Sequence, residues 1–336
     1  MKKRHLIFVA IFFAVAAGAQ SQPSAPLKFV RAIKLPAAVK GNFDHFGVDL
    51  KGHRLFATPE DYKAALVFDL RTGKLIHTIT GIGRPHAILY RPGLDRLYVT
   101  DGDDGAVKIF NATTYHPEGS VKLLVDTDSI GYDPATHYLY IDNGGGDAHQ
   151  TYSMLSVVDT TAATKLADIK IDGDTLEAMA LEPSNAKLYV NNKAKNQVDV
   201  IDRATRKLVA SWPVTKAKTN VAMAFDEAHH RLFVGCRSGA IVVFNTETGK
   251  ELDSLPIVKG VDDMVYDAAS HRIYASGDGA VDVYEETDPD HYKMLGKVTT
   301  GQGAKTSRLV PELHRFFVAV PQHGSAPAEI LEYEVL

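Results

Sequence analysis

Apolar and polar positions alternate along this chain in a unit that recurs. Arg96-Leu97-Tyr98-Val99-Thr100 opens on a cation, runs through three apolar positions and closes on a hydroxyl. Near-copies stand at Arg54-Leu55-Phe56-Ala57, Tyr138-Leu139-Tyr140-Ile141, Lys187-Leu188-Tyr189-Val190, Arg231-Leu232-Phe233-Val234, Arg272-Ile273-Tyr274-Ala275 and Arg315-Phe316-Phe317-Val318. Short runs of β-branched and aromatic residues bounded by turn-forming residues read as strands. Each repeat predicts four: an inner strand, the aromatic strand, a third and an outer one. In the first repeat they are expected at 46–49, 54–58, 65–69 and 74–80. Third strands end in Asp or Asn followed by turns such as Asp69-Leu70-Arg71-Thr72-Gly73-Lys74 and Asn245-Thr246-Glu247-Thr248-Gly249-Lys250, where the side chain caps the turn and glycine supplies positive φ.

The central aromatics Phe56, Tyr98, Tyr140, Tyr189, Phe233, Tyr274 and Phe317 are separated by 42, 42, 49, 44, 41 and 43 residues. Such a period, with several short strands in each, predicts an all-β, seven-bladed β-propeller. A sheet of this size has an apolar face it cannot bury alone, so each blade must pack on the next. Two details predict how the ring closes. The last repeat ends at a third strand, Glu332-Tyr333-Glu334-Val335-Leu336, and Leu27 to Leu35 is a strand with no repeat of its own. The N-terminal strand is therefore expected to complete the last blade, giving a single domain over residues 27–336.

The first residues follow another pattern. Lys2-Lys3-Arg4 precede the apolar run Leu6 to Ala17, and Ala17-Gly18-Ala19 is a small-x-small site. This reads as a secretory signal peptide over 1–19, followed by a proline-rich flexible leader at 20–26. A periplasmic or secreted protein is expected, without a transmembrane segment after cleavage, and as a monomer. Loss of the three cations takes the formal net charge from −4 to −7. A domain this acidic lacks the basic surface of a nucleic-acid binder. The single cysteine, Cys236, excludes an intrachain disulfide and reads as a small apolar filler rather than a reactive thiol.

The Arg-Leu-Tyr-Val core strand and the Asp-x-x-Thr-Gly-Lys turns resemble those of the YVTN-type, YncE-like seven-bladed propellers, over essentially all of 27–336. That resemblance implies the scaffold and a binding role, with ligand or partner unassigned.

In a propeller the inner strands line a central channel and begin at one rim. The polar residues there are His45, His86, Asp128 with Ser129, Glu177, Asn220, Asp262 with Asp263, and Thr306 with Ser307. Two imidazoles, several carboxylates and an amide could hold a small polar ligand, an envelope protein partner or a divalent cation, or simply line a wet channel. His45, His86, Asp128, Glu177, Asn220, Asp263 and Ser307 are the expected ligand-binding set. Glu177, Asn220 and Asp263 form its most oxygen-rich subset, suited to Ca²⁺ or Mg²⁺, with Zn²⁺ as a further candidate. A similar Glu/Asn/Asp set supports metal-assisted ester hydrolysis in the propeller lactonases, and that likeness implies lactone hydrolysis with His45 or His86 as general base.

Loops expected on the same face add Asp101-Gly102-Asp103-Asp104-Gly105, Asn191-Asn192-Lys193 and Gln322-His323. The longest repeat carries its excess at 143–150, read either as a mobile flap or as a tolerated insertion. No Gly-x-Ser-x-Gly elbow, His-Glu-x-x-His or cysteine pair is present. Trp212, in the outer strand Lys207 to Val214, is expected to serve blade packing rather than as a ligand platform.

Overall fold

The computed structural model describes residues 25–336. The expected signal peptide at 1–19 and leader residues 20–24 lie outside the described residues. The chain forms 28 strands and three short 3₁₀ turns, with no α-helix among the described residues. The strands make seven four-stranded antiparallel sheets, the blades of a β-propeller. Six blades take their strands in chain order from inner to outer. The first runs Gly47–Asp49, Arg54–Ala57, Ala65–Asp69 and Leu75–Ile79.

The seventh blade is composite, ordered Leu27–Lys34, Glu329–Val335, Arg315–Val320 and Thr306–Val310. The N-terminal strand is its outer strand, as the unpaired Leu27 to Leu35 pattern predicted. The pairing runs from Leu27 opposite Val335 to Lys34 opposite Glu329. Lys28 to Glu334 at 3.1 Å and Arg31 to Glu332 at 2.5 Å add charge pairing across the seam.

All seven central aromatics are at most 2% exposed, so the recurring pattern is the core pattern. The buried apolar residues fall into seven clusters, each lying between neighbouring blades. Phe56 and Val67 of blade one, for instance, pack with Ile88 and Leu97 of blade two. Burying one such side chain contributes about 1.5–3 kcal/mol, and it does so only when the neighbouring blade is in place.

Two polar devices recur beside the apolar ones. The residue two positions after the central aromatic reaches toward the next blade. Thr58 Oγ lies 2.8 Å from His45 O and 2.7 Å from His86 O. Asn191, fully buried, donates to Val221 O at 2.8 Å and Ala222 O at 3.0 Å. Ser276 meets Ser307 at 2.7 Å.

At the other end of six of the inner strands the turn leading into the aromatic strand places His53, Asp95, His137, His230, His271 and His314 at φ between 50 and 64°. Such polar residues tolerate the left-handed region better than β-branched ones. The carbonyl at this position accepts an N–H from the end of the third strand, as Leu70 N to His53 O at 2.8 Å and Glu286 N to His271 O at 2.8 Å show.

The insertion at 143–150 is pinned rather than free. It forms a 3₁₀ turn over Gly145–Ala148, and Gly146 N donates to Asp174 O at 2.9 Å. Trp212 stacks on Phe244 with centroids 6.1 Å apart and planes at 19°, which puts it between blades four and five. Cys236 is fully buried among apolar neighbours, and burial pushes its thiol up to about 12, which fits a filler.

Candidate functional site

The inner strands Gly47–Asp49, Pro85–Arg91, Ile130–Asp133, Leu176–Leu181, Asn220–Asp226, Asp263–Asp267 and Thr306–Val310 all begin at one rim of the channel. Charged side chains at and just before these starts converge there in two arcs.

The first arc is a chain of alternating carboxylates and imidazoles. Asp263 accepts the Ser307 N–H at 2.8 Å and lies 2.9 Å from His45 Nδ1. His45 Nε2 is 3.4 Å from Asp44 Oδ1, whose other oxygen is 2.6 Å from His86 Nδ1. His86 Nδ1 is in turn 3.6 Å from Asp128. The chain thus runs from blade six through blades seven, one and two to blade three.

The second arc holds permanent cations. Lys193 pairs with Glu177, and Asp262 lies between Arg237 and Lys305, the latter at 2.8 Å. Arg84 binds Glu60 at 3.0 Å beside the first arc.

Burial opposes charge on every one of these groups, and their neighbours decide which keep it. For His86, Asp128 and Asp44 outweigh burial and lift the imidazole to about 9. His45 is likewise raised well above its ordinary value, burial being overcome by Asp44 and Asp263. Asp44 is driven strongly down: burial is outweighed by His45 and His86.

Asp128 goes the other way. Burial, with Asp44 and Glu177 nearby, raises it to about 7 against the pull of His86. Asp142, Asp126 and Glu177 are raised too, burial first, with the Lys193 ammonium opposing the shift at Glu177. Lys305 and Arg237 keep their charge despite burial because Asp262 faces both.

The arcs enclose a cavity of about 200 Å³ lined by five carboxylates, two imidazoles and three permanent cations. Deeper in the channel, Arg308 stands beside Val48, Ile88, Ile130 and Met179 and faces Asp263.

Of the residues expected from the sequence, His45, His86, Asp128 and Glu177 line this cavity, and Asp263 and Ser307 line the space below it together with His45. Asn220 does not reach it. It is fully buried, and its amide donates to Asn191 Oδ1 at 2.8 Å and Gln197 O at 2.9 Å. The trio Glu177, Asn220 and Asp263 is consequently dispersed, with Glu177 held by Lys193 and Asp263 by His45 and Ser307. The ligand atoms that converge belong instead to Asp44, His45 and Asp128, all within 4.8 Å of one another.

The expected loops also differ. Asp101 is buried and accepts the Gly83 and Arg84 N–H groups at 2.7 and 3.0 Å, while Asn191 and Asn192 are buried strand residues. Gly102 has a steric role, because a Cβ there would stand 2.7 Å from His86 Nε2.

Sequence reasoning passed over Asp44, Glu60, Arg84, Asp142, Arg237 and Lys305. Asp44 and Lys305 carried a signal, a charge directly next to an expected rim residue. Glu60 and Arg237 carried none, since they come from connections between strands whose course the repeat does not specify.

No family model and no curated protein matches this chain. Solved structures do. A chain of the Kuenenia stuttgartiensis hydrazine synthase structure is 16% identical and superposes with a TM-score of 0.73 over 96% of this chain and 100% of its own. A chain of a mitotic checkpoint complex is 12% identical, with a TM-score of 0.75 over 100% of this chain and 99% of its own. At this identity the likeness establishes the β-propeller fold alone.

Proposed function

We propose that this chain is an exported, YncE-like recognition propeller that holds a small zwitterionic ligand in the rim cavity. The observation that carries the reading is that buried carboxyls and permanent cations face one cavity of about 200 Å³: Asp128 and Glu177, both raised by burial, share it with Arg237 and Lys305. A ligand's ammonium group would find acceptors at the carboxyls and its acidic group donors at the cations, and a few convergent polar groups in a concave site are what fixes a ligand's orientation.

The test is thermal denaturation of the protein against amino acids, diamines and dicarboxylates. A zwitterion is expected to raise Tm where molecules carrying only one sign do not, and Asp128→Asn or Arg237→Gln to remove the effect. Equal response to all three classes would refute the reading. Export predicts a mature chain beginning at Gln20, read by N-terminal sequencing.

A second reading, a metal-dependent lactonase-like hydrolase, is favoured by the convergence of Asp44, His45 and Asp128. One imidazole and two carboxylates suit a divalent cation such as Zn²⁺, which would activate water toward an ester when bound. His45 would first have to give up the proton that Asp44 and Asp263 hold on it. This reading requires a metal lost in Asp44→Asn and turnover in a lactone and ester screen.

A further inference from the structure

A second cluster of ligating atoms lies at the opposite end of the blades, between blades five and six. Asp226 ends the inner strand Asn220–Asp226, and His229 stands in the turn that follows. Glu286 comes from the third strand of the next blade, Ala280–Asp288. His229 Nδ1 is 2.5 Å from Asp226 Oδ2 and 4.0 Å from Glu286 Oε2, and the three ligand atoms lie within 4.8 Å of one another.

The side chains of Asp226 and Glu286 are 3% and 1% exposed, whereas that of His229 is 35% exposed. Two carboxylates are thus buried side by side with one partly open imidazole. Burying them together is costly unless a positive charge lies between them. Glu286 Oε1, moreover, is buried with no hydrogen-bond partner among the described residues.

The surroundings are built to orient this carboxylate. Tyr266 donates its hydroxyl to Glu286 Oε2, and His271 Nδ1 lies 3.1 Å from the same hydroxyl. Outer hydrogen bonds of this kind orient metal ligands.

We propose that Asp226, His229 and Glu286 bind a divalent cation of the Zn²⁺ class, which clips blade five to blade six on the face opposite the rim. One imidazole and two carboxylates are a borderline donor set that favours such a metal over Ca²⁺ or Mg²⁺. Three protein ligands leave a position for water, and the exposed His229 edge supplies the route of entry. The site shares no residue with the rim cavity, so either assignment stands or falls without the other.

Chelator-stripped full-length protein is titrated with Zn²⁺ by calorimetry, and with Co²⁺ while visible absorption is followed. One equivalent is expected to bind at this site, to give Co²⁺ bands of low coordination number and to raise Tm by a few degrees. His229→Ala and Glu286→Gln abolish that equivalent, His45→Ala retains it, and Tyr266→Phe weakens it about tenfold. Circular dichroism identifies any variant that fails to fold, and for such a variant His229→Gln supplies the comparison. Zn²⁺ bound equally well by wild type, His229→Gln and Glu286→Gln overturns the proposal. So does the absence of saturable binding in the wild type, which would leave a proton shared among the three groups.

Discussion

At neutral pH the folded chain holds protons that its unfolded form releases, and Asp128 and His86 account for this at the rim. His86 titrates near 9 in the fold against 6.5 ordinarily, so the stability from its charged form is complete below 6.5 and is lost as pH rises through 9. Asp128 titrates near 7 against 3.8, so the fold is penalised increasingly as pH rises from 3.8 through 7. In both cases the native state binds more protons, and both slopes point the same way. Asp44, driven down, contributes stability that is lost as pH falls below its ordinary 3.8. The Tm of chelator-treated protein is therefore expected to decline between pH 5 and 9. Asp128→Asn, which mimics the protonated acid, should flatten the lower part of that decline and be more stable than wild type at pH 8 by about 1–3 kcal/mol. Parallel Tm curves for the two proteins from pH 4 to 8 would show that Asp128 does not retain its proton. Gly102→Ala acts on the same group by volume. Its Cβ meets an imidazole fixed by Asp44, a clash expected to cost about 1–3 kcal/mol in denaturant melts.

Single strands in this fold are anchored sideways as well as within their own sheet. Asn191 supplies two hydrogen bonds to the inner strand of blade five and accepts a third from Asn220, all in full burial. Asn191→Ala leaves these partners unsatisfied and is expected to cost about 2–4 kcal/mol in urea unfolding. Gly249 sits at φ +70° with its missing Cβ 2.3 Å from Trp212 Nε1. Gly249→Ala should thus destabilise the turn and shift the emission of the only tryptophan, whereas an unchanged spectrum would separate the turn from the stack. Much at this scale was legible in the sequence. The aromatic strands, the Thr-Gly-Lys turns and the unpaired N-terminal strand are local patterns, and a periodic pattern fixes which side of each strand is buried. Side-chain partnerships were not legible, because neither face nor period says where a carboxylate turns once it reaches the rim. Asn220 lies four residues before the partner of its central aromatic, His45 only two before its own, and Asn220 points into a blade junction. Asp226 and Glu286 are brought together only because blades five and six are neighbours, although the recurring Asp-x-x-x-His turn was visible at Asp226 to His230 and Asp267 to His271.

For the whole molecule the seventh blade is decisive, since its sheet joins residues more than three hundred positions apart. Lys28 meets Glu334 across a separation of 306 residues. Deleting residues 27–36 is expected to lower Tm of the entire ring in one cooperative transition, reported by Trp212 on the far side. A loss confined to local structure near blade seven would argue against closure as the source of global stability. The acidic domain is also expected to show no binding to single-stranded oligonucleotides at low salt, where any phosphate-driven affinity is greatest. The composite blade has a consequence in time. Its outer strand, Leu27–Lys34, is synthesised long before its partner, Glu329–Val335. At roughly 5–20 residues per second, about 15 to 60 s separate the two on the ribosome. Throughout that interval the molecule is a row of blades with an open seam, unable to lock. A chain that has to cross a membrane before it folds would gain from such a delay, because the strand that completes the ring stays unpaired until its partner has been made.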